Sequence, residues 1–193
     1  MNNKIFWSDV LRAGALLGLV MGLSSIFENF IKIKSGMAMS TMSLVLTLEM
    51  IISLVIFIWL LYRFTKRRSS SAEPREGFPF SYGLIYVFST SVLTGIVVGL
   101  ANTLFIAVVG YDTYVNALIE QMDSAASLLA QVDQTGVSAA SYDSMVDTMI
   151  EGLESSSRPS VFDNIFAAMG NYIIGGTLLG LIIAYFVRRE PEL

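Results

Sequence analysis

Four stretches of this chain stay apolar for the length that a bilayer demands, and the segments between them do not. The hydrocarbon core of a membrane takes about 20 mostly apolar residues in a helix. Windows at about 11–33, 40–62, 80–109 and 162–187 reach that length. The direct expectation is an all-α integral membrane protein with four transmembrane helices in a single membrane domain covering residues 1–193.

The connections differ in kind. Residues 66–77, KRRSSSAEPREG, read as a solvated linker rich in Ser, charge and Pro. Pro79 after it suits the first turn of span three, where a missing N–H costs nothing. Residues 111–158 form a longer excursion. Val115, Leu118, Ile119, Met122, Ala126 and Leu129 recur at helical spacing, as do Tyr142, Met145, Val146, Met149, Ile150 and Leu153. Thr135 and Gly136 break the two runs, so an extra-membrane helical hairpin is expected between spans three and four, its apolar faces packed together, on the spans or on a partner. Ser160 and Asp163 have the spacing of a capping box that opens span four after Pro159.

Composition narrows the chemistry. With 54% hydrophobic and 15% charged residues, the chain is too apolar for an ordinary soluble domain. It has neither His nor Cys, which removes disulfides, Cys/His zinc sites, haem ligation, Cys nucleophiles and any Ser-His-Asp triad. No cofactor or metal site is read from it. A net charge of −4 argues against a nucleic-acid partner.

The sign of the total hides an asymmetry that sets the expected topology. Lys4 and Arg12, then Arg63, Lys66, Arg67, Arg68 and Arg75, then Arg188 and Arg189 all fall on one side of a four-span chain. Basic residues are retained on the cytoplasmic side, so both termini are expected in the cytoplasm and the excursion in the periplasm of a bacterial inner membrane. That excursion carries eight carboxylates and one basic residue. Trp7, Trp59, Tyr62, Tyr82 and Tyr185 would form the inner aromatic belt, and Phe27, Phe30, Tyr111 and Phe162 the outer one. A secretory signal is the rival reading of the start, since Lys4 and Arg12 precede the apolar run 13–23 and Ser24 and Ser25 follow it. Apolar character resumes at Ile26 and Phe27, which favours a retained span. The basic linker could also hold anionic lipid, at about 1 kcal/mol per side chain.

Two sets of residues inside the spans stand out. Gly14, Gly18 and Gly22, Gly95 and Gly99, and Gly176 and Gly180 are four apart on their helices, the spacing that lets helix backbones approach closely in lipid. They read as packing faces of the bundle, with self-association through the span-one stripe as the alternative. The second set is polar: Glu28, Asn29, Glu49, Asn102 and Asn171. A rise of 1.5 Å per residue puts Glu28 about 7 Å, Asn102 about 10 Å, Glu49 about 15 Å and Asn171 about 16 Å inside the outer ends of their spans. Intramembrane carboxylates are costly and are functional candidates by default. One polar cluster is therefore expected in the outer half, with Glu49 protonated or bonded to an Asn, because no basic residue shares its depth. Glu28 has a plainer alternative as an interfacial residue snorkelling to water near Lys32.

The basic loop running into Glu76-Gly77-Phe78-Pro79-Phe80-Ser81-Tyr82-Gly83, the acidic excursion, and Leu181-Ile182-Ile183-Ala184 before Arg188-Arg189 resemble a family of small bacterial membrane proteins catalogued as domain of unknown function 4199. The resemblance covers nearly the whole chain and implies fold and location, with no catalytic or binding residue to carry over. From the residues, the first functional reading is a non-enzymatic subunit or adaptor whose acidic hairpin and glycine faces meet a membrane or periplasmic partner or a second copy of the chain. The second is a small oligomeric proton or cation transporter or channel using Glu49 and Glu28. An intramembrane enzyme ranks last, since no Asp lies inside a span and the two Glu differ by about 7 Å in depth.

Overall fold

The computed structural model of the chain describes residues 3–34, 39–73, 75–132, 144–152 and 158–191. Among the described residues six helices follow one another: α1 (Asn3–Lys34), α2 (Met39–Ser70), α3 (Phe80–Val109), α4 (Tyr111–Val132), a helical segment α5 at 144–152, and α6 (Val161–Val187). Four of them, α1, α2, α3 and α6, are long and apolar enough to cross a bilayer. The chain is thus an all-α, multi-pass membrane protein. The break expected at Thr135 and Gly136, and Tyr142 and Leu153, lie outside the described residues.

α1 and α2 run further than the apolar windows. The window marks the stretch that hydrocarbon can hold, whereas backbone hydrogen bonding continues through polar residues until a Pro or Gly intervenes. Each 32-residue helix spans about 48 Å against a core of about 30 Å, so both overrun the bilayer. α3 begins at Phe80, so Pro79 stands just outside its first turn. Pro79 is its N-cap, in extended backbone with φ −66° and ψ 157°, and its carbonyl accepts from Tyr82 N–H at 3.0 Å. The cap of α6 forms in full: Ser160 Oγ accepts from Asp163 N–H at 3.2 Å and Ser160 N–H donates to the Asp163 carboxylate at 2.8 Å.

Helix α3 is the centre of the bundle, with α1 against one side and α6 against the other. The face bearing Gly14, Gly18 and Gly22 meets Leu93, Val97 and Ala101 of α3, so within the chain this stripe is covered by α3. Gly95 and Gly99 lie on the backbone of α6 at Met169 and Ile165, while Gly176 and Gly180 receive Ser91 and Val87. Around these contacts Leu17, Leu61, Phe78, Val87 and Ile183 form the core.

α2 is seated differently. From Phe57 onward it is built in, with Leu61, Thr65, Arg68 and Ser69 buried; before that, Leu44, Leu48, Ile52 and Val55 are exposed to what would be lipid. Its buried half belongs to the basic end, where several links converge. Phe78 and Arg189 exchange backbone hydrogen bonds at 2.8 and 2.9 Å, Ser69 Oγ donates to the Val187 carbonyl at 2.6 Å, and Arg68 pairs with Asp9 at 3.1 Å. At the same end Arg63, Lys66 and Arg188 lie over the rings of Trp59, Tyr62 and Tyr185, the pairing of aromatic and basic side chains that suits a bilayer interface.

Gly110, at φ +94°, turns the chain from α3 straight into α4. α4 crosses the opposite end of the bundle and touches α1, α2 and α3. Val115 is its buried anchor, with Leu118, Ile119 and Met122 half-buried beside it. In α5, Val146 is buried while Met145 and Met149 are exposed.

Candidate functional site

Because the first half of α2 stands off from its neighbours, a cavity of about 700 Å³ opens at the end of the bundle away from the basic residues. All four spans and α4 contribute to its wall. Four of the five polar residues singled out from the sequence face it: Glu28 from α1, Glu49 from α2, Asn102 from α3 and Asn171 from α6. Asn29, next in the chain to Glu28, does not line it. Met21, Val98 and Ala168 form its base and belong at the same time to the apolar core. The cavity therefore ends on packed hydrocarbon side chains on the side of the basic end.

Glu49 is held by hydroxyls. Its Oε1 accepts from Ser53 Oγ at 2.7 Å, one turn along α2, and from Ser24 Oγ on α1, and the two serine hydroxyls also touch each other. The sequence had suggested an Asn partner or a proton; the hydrogen bonds to this carboxylate come from two serines. Ser53 is supplied by the i,i+4 spacing, and Ser24 is a small residue that lets α1 and α2 approach at this level. A carboxylate with both donors on one oxygen retains acceptor capacity on the other. An apolar groove on the lipid side of Glu49, lined by Val20, Phe27, Leu48 and Ile52, reaches the same group from the other direction.

The other polar residues pair within the wall. Lys32 Nζ lies 2.5 Å from Glu28 Oε1, one helical turn away, with Glu28 39% exposed. That is the interfacial pair considered for Glu28, and it sits at the cavity mouth. Ser25 Oγ donates to Asn102 Oδ1 at 2.8 Å, and Asn164 Nδ2 donates to Thr103 Oγ1 at 3.2 Å. α4 closes over the mouth through Gln121, whose side-chain amide donates to the Lys32 carbonyl at 3.0 Å. Tyr172 packs edge-on against Phe57 at 5.4 Å, next to Asn171.

Chemically, this is a hydroxyl- and amide-lined chamber with one serine-held carboxylate and one ion pair. Its donors and acceptors are neutral apart from Glu28, Lys32 and Glu49, so a small polar or cationic species meets one carboxylate that has no countercharge beside it. Among the described residues no three His, Cys, Asp or Glu side chains come together in a way that would hold a metal ion.

The seven glycines meet adjoining spans. Their neighbours are side chains and backbone of adjoining spans, and none of the seven lines the polar chamber.

A family model described as "Protein of unknown function (DUF4199)" matches residues 12–189. No curated protein and no solved structure matches the chain.

Proposed function

Given that this chain belongs to the DUF4199 family of proteins of unknown function, we propose that it is a non-enzymatic membrane subunit that takes a proton or small cation onto Glu49 from the outer side of the membrane. In this reading the basic end faces the cytoplasm of a bacterial inner membrane, as the basic residues favour. The supporting observation is the polar cavity around Glu28, Glu49, Asn102 and Asn171, which has Met21, Val98 and Ala168 of the apolar core in its wall. An intramembrane carboxylate is retained in a chain at a cost of about 3 kcal/mol or more unless its surroundings satisfy it, and here a chamber has been kept open beside it.

Loading is coupled to the exterior through α4. Lys32 pairs with Glu28 through its ammonium and receives Gln121 of α4 on its carbonyl. A cation entering beside Glu28 competes with Lys32 for the carboxylate, so the seat of α4 responds. The exposed Asp112, Glu120 and Asp123 of that helix then present a changed acidic surface to a partner in the membrane or periplasm.

Carboxyl infrared difference spectra between low and high pH, taken on the whole protein in nanodiscs, test the site. The expected result is a protonated-carboxyl band that disappears in Glu49→Gln. Identical spectra for the two proteins would remove Glu49 from the reading. In liposomes the lone chain should add no proton leak, because the cavity ends on Met21, Val98 and Ala168; a Glu49-dependent leak would instead favour a channel.

A further inference from the structure

The basic end has a cavity of its own, about 530 Å³, between the first turns of α1 and the last turns of α2. Arg12, Arg67 and Arg68 line it, together with Asp9, Glu73 and Glu76. The charges balance in number, but their pairing does not. Asp9 is taken by Arg68, and Glu76 is engaged in a contact of its own. Arg12 and Arg67 are exposed, and their guanidinium groups have no hydrogen-bond or ion-pair partner among the described residues. Arg68 is 8% exposed, and its Nε is buried without an acceptor. A buried donor left unmade costs about 1–3 kcal/mol, more when it is charged.

The cavity thus offers two free guanidinium forks beside a third, buried guanidinium whose Nε lacks an acceptor. Guanidinium groups bind phosphate oxygens in pairs of parallel hydrogen bonds. Apart from Ser71 and Tyr86 the remaining wall is apolar, with Ala13, Leu16 and Phe64. Leu16 and Ile5 are both about half exposed and continue down the outer surface of α1. The volume lies within the range of small-ligand pockets, about 300–1,000 Å³.

We propose that this cavity is a binding site for an anionic phosphate group, held by Arg12 and Arg67 with Arg68 behind them. Two sources share that chemistry. A phospholipid headgroup would enter sideways, with its acyl chains along Leu16 and Ile5; a free phosphate would enter from the aqueous face. This site is independent of the Glu49 chamber, which lies at the other end of the bundle.

Native mass spectrometry of the detergent-solubilised full chain, titrated with dioctanoyl phosphatidylglycerol, dioctanoyl phosphatidylcholine or inorganic phosphate, tests it. One phosphatidylglycerol or one phosphate per chain should be retained in preference to phosphatidylcholine. Arg12→Gln and Arg67→Gln should each weaken retention about fivefold, the factor matching about 1 kcal/mol per basic side chain. Lys66→Gln should change nothing, because that ammonium lies over the Tyr62 ring. Saturation by phosphatidylglycerol without phosphate binding assigns the site to lipid; phosphate displacing phosphatidylglycerol assigns it to a soluble anion; both uphold the proposal. Equal retention of the two lipids with no phosphate bound, or a Lys66→Gln loss as large as that of Arg67→Gln, overturns it. If either glutamine variant fails to fold, Arg67→Lys, which keeps charge and loses the fork, should fall between wild type and the expected fivefold loss.

Discussion

Gly99 of α3 lies so close to Ile165 of α6 that a Cβ at this glycine would stand 2.5 Å from the Ile165 Cα. The obstacle is backbone on a neighbouring span, so it cannot turn aside as a side-chain tip could. Gly99→Ala should therefore push α3 and α6 apart and destabilise the protein by about 1–3 kcal/mol. Gly175→Ala, at a position with nothing within 4 Å, should be neutral. Thermal unfolding midpoints in one detergent compare the two, and equal midpoints would remove the close approach as a source of stability.

Ser53 and Glu49 should behave as a coupled pair. Ser53→Ala and Glu49→Leu each remove one partner of the hydrogen bond, so the double variant should lose less than the two singles together. Side-chain pairs one turn apart on a helix couple by about 0.2–0.5 kcal/mol. Unfolding in mixed micelles of all four proteins gives the coupling directly. Strict additivity would mean that the serine does not hold the carboxylate.

Asp9 neutralises a guanidinium that is almost wholly buried. Removing one partner of a fully buried pair costs about 3–5 kcal/mol; Asp9 is 38% exposed, so Asp9→Asn should cost about 2 kcal/mol. Replacing both partners, as in Asp9→Asn with Arg68→Met, should recover part of that loss, because no charge is then stranded. A double variant less stable than Asp9→Asn would show that Arg68 has a larger role than this pair.

Gly77 holds φ +65°, and a Cβ there would lie 2.7 Å from the Arg189 carbonyl oxygen. Gly77→Ala should break the exchange between Phe78 and Arg189. Hydrogen–deuterium exchange should then show faster loss of protection at the Phe78 and Arg189 amides with little change in α6. Unchanged protection at both would mean that the bridge tolerates the side chain.

The four-span helical architecture was legible because bilayer thickness imposes a length that composition alone reveals. The common depth of Glu28, Glu49, Asn102 and Asn171 followed from counting residues. What the count could not supply was rotation about each helix, and that is why Asn29, at nearly the depth of Glu28, stays off the cavity wall. Ser24 was hidden differently. It lies nine residues before Ile33, about 14 Å and so level with Glu49, yet a serine inside an apolar run reads as a small packing residue until its neighbour is known. Arg12 and Arg67 read only as topology signals, since the cavity between them depends on how α1 and α2 lean together.

The links at the basic end also impose an order on biosynthesis. Ser69 donates to the carbonyl of Val187, a residue made 118 positions later, and Phe78 waits in the same way for Arg189. A ribosome feeding this chain into the membrane releases α1, α2 and α3 well before either partner exists. Until α6 arrives, the Phe78 amide and Ser69 hydroxyl must be satisfied by water, and the glycine faces of α3 turned toward α6 must be covered by lipid. Closure of the basic end is thus a late event, and it certifies that α6 has already taken its place beside α3.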